Sequence, residues 1–340
     1  MLKYLADQLY YPFETPVTPH ADEIELSTRQ WVQDFNMLSD AATFQRFCRI
    51  NYGWLGARFF PYATSDATAI GSHWIAWLFT LDDEFDEQSV GSSPKVLAQA
   101  FQKFIDILNG AEGTQTPLSR SLIDLRERTR ALSPDESWFP RFVISVQQYF
   151  DACTWEARNR IKGHPPDLES YIRLRQHAGA QTIVVALIEM MENMILPDHV
   201  RNHPRIKALT DMTLNLMGWG NDILSVDKEL HAGDVHNLVL VLEHEYALSR
   251  EDAYTWAIEV HNQEMRRFLL FERNLPTFGT DAEGHDLDAN VQRYLLGLRA
   301  LIRGSVDWTI IDAPVRYAEL KPLLDRAATA DQSLVVTEAA

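Results

Sequence analysis

Apolar residues recur at i, i+3 and i+4 through most of the chain, as in Trp138, Phe139, Phe142, Val143, Val146 and Tyr149, which is the period of a helix with one buried face. The pattern predicts helices near 27–50, 66–87, 94–108, 117–131, 135–161, 168–194, 204–231, 234–247, 250–274 and 288–310. Ser27 with Gln30 and Ser133 with Glu136 read as capping boxes, and Ser93-Pro94 and Thr116-Pro117 place proline at a first helical position. Hairpin turns between alternating strands are missing, so the expected fold class is all-α. The breaks at 88–93, 110–116, 163–167, 195–204 and 276–287 are short and rich in Gly, Pro or polar residues, and no composition shift marks a boundary. One domain over 1–320 is expected, with 321–340 a tail that has lost helical periodicity.

Composition narrows the function more than the fold. A chain of 340 residues that is 46% hydrophobic buries a substantial core. Its net charge of −17 argues against nucleic acid or an anionic membrane as partner. An anionic substrate would need metal ions or a local basic cluster. Cys48 and Cys153 are too few for a disulfide framework or a zinc site, which suits a reducing cytoplasm. The opening MLKYLADQLYYPFETP carries Asp7 and Glu14 and lacks an apolar core, so it does not read as a secretion signal. The longest apolar run, 182–188, is far short of the roughly 18–20 residues that span a bilayer.

Two stretches carry candidate chemistry. In LFTLDDEFDEQ, residues 78–88, an apolar run ends in Asp82, Asp83, Glu84, Asp86 and Glu87. Asp82 and Asp86 share a helix face, as do Asp83 and Glu87, and like charges at that spacing repel. Such a run is ordinarily a solvated helix end; its alternative is a cation site. An EF-hand loop fails because Glu87 stands where a glycine is needed, and a di-iron bundle fails because no Glu-x-x-His occurs. In NDILSVDKE, residues 221–229, Asn221, Ser225 and Glu229 line up along one helix face. An amide oxygen, a hydroxyl and a carboxylate are hard ligands that suit Mg²⁺ shared with a substrate phosphate, and Lys228 stands close enough to lean toward that phosphate. Alone the triple is commonly a solvated face. Here it follows the apolar Leu214, Leu216, Met217 and Trp219, so the face starts inside the protein.

Together DDEFDE and NDILSVDKE resemble the aspartate-rich DDxx(x)D/E and the NDxxSxxKE motifs of class I terpene synthases. The resemblance covers most of the chain. Arg175 stands 46 residues before Asn221, where that family has its pyrophosphate-sensing arginine, and Arg316-Tyr317 matches its late Arg-Tyr pair, with Trp308 eight residues earlier. Gly179 falls at the family's effector position, where a helix breaks and a carbonyl faces the pocket; Ala178 departs from the polar linker residue common there. The resemblance implies an α-helical bundle around a central apolar cavity and three Mg²⁺ ions held by Asp82, Asp83, Asp86, Glu87, Asn221, Ser225 and Glu229. Asp82 is the principal ligand of the first motif, and Glu84 is expected to be solvated. Arg175, Lys228, Arg316 and Tyr317 would bind the diphosphate of a prenyl substrate, farnesyl diphosphate ahead of geranylgeranyl diphosphate. Phe79 and Trp308 would line the cavity and steer a carbocation. Trp54, Phe59, Phe60, Trp77 and Trp219, with Met190, Met191 and Met194, read mainly as core. A chain-elongating prenyltransferase would carry an aspartate-rich motif on the second helix as well, and a helical binding protein would need neither motif. A homodimer is the family-based expectation.

Overall fold

A computed structural model describes residues 2–14, 16–38, 40–87 and 93–318, without the side chains of 85–87, 317 and 318. The expectation of a tail over 321–340 lies outside these residues. In the first half the order is α1 (Leu2–Ala6), α2 (Ala21–Asp34), α3 (Ala41–Ile50), α4 (Tyr52–Phe59), α5 (Ser65–Glu87), α6 (Pro94–Leu108), α7 (Pro117–Ala131) and α8 (Trp138–Lys162). There follow α9 (Leu168–Ala178), α10 (Gln181–Met191), α11 (Asp198–Arg201), α12 (Pro204–Ala232), α13 (Leu238–Tyr246), α14 (Arg250–Arg273), α15 (Leu287–Asp307), a π-helical turn Trp308–Asp312 and α16 (Pro314–Ala318). The only β pairing among the described residues is one isolated bridge, Thr280 to Asp286. The fold is all-α.

Proline starts worked as expected: α6 and α7 begin at Pro94 and Pro117, and Thr116 accepts a hydrogen bond from the Ser119 N–H at 3.2 Å. Both capping boxes are corrected. Ser27 lies inside α2, where its hydroxyl meets His73 Nε2 at 3.3 Å. The 27–50 segment divides into α2 and α3, and Asp40 caps α3 by accepting from the N–H groups of Ala42 and Thr43. Before α8 it is Asp135, not Ser133, whose carboxylate accepts from Ser137 and Trp138 N–H, each at 2.8 Å. An ionised oxygen makes the stronger bond to an N–H group, so the nearby aspartates took both roles.

The main core gathers Trp74, Trp77, Trp138, Phe142 and Phe150, with Trp74 edge-on to Trp77 at 6.0 Å and to Phe142 at 5.1 Å. Burying each such side chain contributes roughly 1.5–3 kcal/mol. Phe60, Trp77, Met190, Met191 and Met194 belong to this core, and Trp54 packs on its edge. A second cluster joins α9, α12, α13 and α14 through Tyr171, Trp219, Ile223, Val239 and Ala257. Helix α12 supplies both clusters and is therefore fixed from two sides. Among the described residues no helix is long and apolar enough to cross a membrane.

One junction was invisible in the sequence. Asn51, at φ +58°, joins α3 to α4 in the left-handed conformation that asparagine tolerates. Its amide donates to the Asp312 carbonyl at 2.8 Å while its own carbonyl accepts from Trp308 Nε1 at 3.0 Å. Buried Arg58 adds a bond to Asp312 at 3.1 Å and lies 3.6 Å from Asp307. The π turn is thus pinned to α4, and the Trp308 ring with it.

Candidate active site

Between α5, α8, α10, α12, α15 and the π turn lies a cavity of about 280 Å³. Its apolar wall includes Leu55, Phe59, Leu78, Phe79, Met217 and Trp308, and its polar end includes Asp82, Arg175, Asn221, Ser225, Lys228, Glu229 and Arg316. Phe79 and Trp308 line it as expected, 5.9 Å apart, and Phe59 joins them. Phe101 and Tyr149 line it too and were not picked out from the sequence.

On α12 the polar groups are already tied together. The Ser225 hydroxyl donates to the Asn221 carbonyl at 2.7 Å and lies 2.6 Å from Glu229 Oε1. Asn237, opening α13, donates to Glu229 Oε2 at 2.7 Å and to the Asp222 carbonyl at 2.8 Å. Burial pushes the Glu229 carboxyl up from its usual range, against Arg175 and the hydrogen bonds from Ser225 and Asn237. Three oxygen donors on one strip, with a carboxylate that a cation would favour in its ionised form, fit a hard divalent ion.

Arg175 projects from the last turn of α9 to this strip. Its guanidinium donates to Asp222 at 2.6 and 2.9 Å and to Asn221 Oδ1 at 3.1 Å. Asp222 is fully buried and also accepts from the Tyr171 hydroxyl and from the Leu238 N–H at 2.9 Å. Neither Asp222 nor Asn237 figured among the sequence candidates. Asp222 is inside the second motif, but its role shows only once α9 and α13 are packed against it.

Gly179 ends α9 at φ −91°, and the left-handed residue of the break is Ala180 at φ +59°. What Gly179 supplies is room, since a Cβ there would come within 2.3 Å of the Gln181 amide. The break itself falls where expected, and Ala178, Gly179 and Ala180 all line the cavity.

The α5 end is built differently. Asp82 and Asp83 are exposed, and no hydrogen bond holds Asp82 among the described residues. Asp82 faces the cavity, whereas Asp83 and Glu84 line a second hollow of about 1060 Å³ beside α3, α6 and α7. Glu84 is half-buried there rather than solvated, and Asp83 lines this hollow rather than the cavity. The side chains of Asp86, Glu87 and Tyr317 lie outside the described residues. Lys228 and Arg316 line both spaces. Burial, then the Arg316 charge, lowers the Lys228 pKa, with Asp82 and Glu229 opposing. Arg316 donates to the Tyr52 hydroxyl at 2.6 Å and lies over the Phe79 ring at 4.6 Å. Among the described residues the one tight cluster of three acidic or histidine ligands, Asp281, Glu283 and His285, does not line the cavity.

Residues 73–267, which contain both motifs, match the family model described as terpene synthase family 2, C-terminal metal binding. The chain is 35% identical over 310 residues to a germacrene A synthase from Nostoc punctiforme, covering 91% of this chain and 94% of the relative. The chain belongs to the terpene synthases. A (+)-T-muurolol synthase from Roseiflexus castenholzii, named as cyclising (2E,6E)-farnesyl diphosphate, is also 35% identical over 92% of this chain and 93% of its own. Two terpene synthases of known structure share the fold. Germacradien-4-ol synthase from Streptomyces citricolor has a TM-score of 0.78 at 22% identity, covering 88% of this chain and 97% of its own. Wild-type cucumene synthase has 0.74 at 24%, covering 87% and 98%. As a terpene synthase with this metal-binding domain, the chain is a lyase that binds divalent metal.

Proposed function

We propose that this terpene synthase ionises farnesyl diphosphate and cyclises the resulting cation to a sesquiterpene. The observation that carries the reading is a single apolar cavity with oxygen donors on two facing helices and three cations, Arg175, Lys228 and Arg316, at its polar end. The farnesyl-cyclising relatives support the fifteen-carbon substrate over geranylgeranyl diphosphate.

In this reading Asp82, with Asp83, Asp86 and Glu87 as helpers, would hold Mg²⁺ from α5, and Asn221, Ser225 and Glu229 would hold it from α12. Three ions are the family number. When bound, the metal supplies Lewis-acid stabilisation of the departing diphosphate. Arg175, Lys228, Arg316 and Tyr317 add hydrogen bonds to the same group, the arginines through their planar forks. Arg175 would exchange Asp222 for the diphosphate, tying substrate arrival to the α9–α10 break at Gly179. Phe79, Phe59 and Trp308 would then shelter the cation from water and offer it their ring faces. A single catalytic domain over 1–320, a homodimer and a cytoplasmic location complete the proposal.

The test is to incubate the purified chain with Mg²⁺ and, separately, geranyl, farnesyl and geranylgeranyl diphosphate, measuring released diphosphate and hydrocarbons. Turnover is expected with farnesyl diphosphate. A folded protein that turns over none of the three, or condenses them into longer chains, refutes the reading.

A further inference from the structure

Every cyclisation of this kind that ends in an olefin needs a proton acceptor, and the cavity offers few. Of its titratable lining, Asp82 and Glu229 are committed to metal, and Arg175, Lys228 and Arg316 to the diphosphate. Burial raises Tyr149 and Cys153 well above their usual values, so both stay protonated. Asp234 accepts from the His236 N–H at 3.0 Å and from His236 Nδ1 at 2.8 Å, with Arg160 at 3.4 Å from its other oxygen. What remains is Glu156, on the cavity-facing stripe of α8 that runs Tyr149, Cys153, Glu156, Arg160.

No hydrogen bond holds the Glu156 carboxylate among the described residues, and the half-buried side chain lines the cavity. Burial raises it to about 7, with the His236 charge the leading opposing influence. His236 is buried to 3% exposure, lines the same cavity, and its Nε2 has no partner. A cavity-lining carboxylate without donors is a general-base arrangement that metal and diphosphate binding leave unused.

We propose that Glu156 is the catalytic base that ends the carbocation sequence. The C–H bond next to the cationic carbon breaks, its electron pair closes the double bond, and the proton passes to a Glu156 carboxylate oxygen. The proton is lost from Glu156 to solvent when the site reopens. No oxidant or reductant is involved.

The inference rests on the cyclase reading, and the test separates the two. The full chain, its Glu156→Gln and its Glu156→Asp variants are incubated with Mg²⁺ and farnesyl diphosphate, and olefins and released diphosphate are quantified together. In Glu156→Gln the ratio of the wild-type olefin to diphosphate is expected to fall by about tenfold or more, with other olefins or alcohols taking its place. Glu156→Asp keeps the buried charge and withdraws it by one methylene, and a shifted ratio of olefin isomers is expected. An unchanged product profile in either folded variant, or parallel loss of olefin and diphosphate in Glu156→Gln, overturns the assignment. A wild-type chain that releases no diphosphate overturns the cyclase reading instead.

Discussion

The two metal-facing helices reach the same cavity in opposite states of preparation. On α12, Asn221, Ser225 and Glu229 are knit to one another and to Asn237, and Arg175 is docked on Asp222 beneath them. On α5, Asp82 and Asp83 project from an exposed helix end. The difference follows from what each helix packs against. Helix α12 serves two hydrophobic clusters and has neighbours to bond its polar groups, whereas α5 leaves the core just as its acids begin. A prepared side and a side that only the cation completes would let the site stay open until metal and diphosphate arrive together.

The sharpest way to break this contrast is to attack the prepared side from below. Asp222→Ala leaves Arg175 buried without its partner and is expected to cost about 3–5 kcal/mol in chemical denaturation. Glu229→Ala should lower turnover about 10²–10³-fold and also cost about 1–3 kcal/mol, because Ser225 and Asn237 each lose one of their two acceptors. On the open side, Asp82→Ala should lower turnover by a similar factor with no loss of thermal stability, since it relieves repulsion and breaks no hydrogen bond. Equal destabilisation by Asp82→Ala and Glu229→Ala would erase the distinction. A smaller effect is expected at the hinge: Gly179→Ala should cost about 1 kcal/mol, because the Gln181 amide must shift to make room.

Protons test both helices more gently. Burial, then the Arg128 charge, lowers His73 on α5 to about 3, and burial lowers His261, behind α12, to about 4. Unfolded histidine takes its proton near 6.5, so between that value and these the unfolded chain binds more protons. Stability contributed by the neutral rings is therefore full above about pH 6.5 and is lost as pH falls through the native values. His261→Gln should flatten the slope of unfolding free energy against pH between 6.5 and 4, and an unchanged slope would discharge that residue from the effect.

Much of this was legible in the residues alone. The 3.6-residue period located α5, α6, α7, α9, α10 and α12 closely, and the break at Gly179 was placed correctly. The alignment of Asn221, Ser225 and Glu229 followed from helix geometry, because groups four apart share a face whatever surrounds them, whereas Asp82 was singled out by the motif resemblance. Short elements such as α4 and α16 were not found, since one or two turns leave too little period to detect. Caps went astray because several short polar side chains compete for the same N–H groups and only packing chooses between them.

What the sequence determined, then, is which side chains lie on which helical strip, a local property set by φ, ψ and spacing. Tertiary structure alone decided that Asp222 faces Arg175 and Tyr171 across 47 and 51 residues. It also set Asp83 and Glu84 on a second hollow while Asp82 faces the cavity, pinned Trp308 through Asn51, and brought Glu156 and His236 to the lining of one cavity. Those outcomes depend on the relative rotation of packed helices. That rotation is fixed by the fit of many distant side chains, which no local spacing encodes.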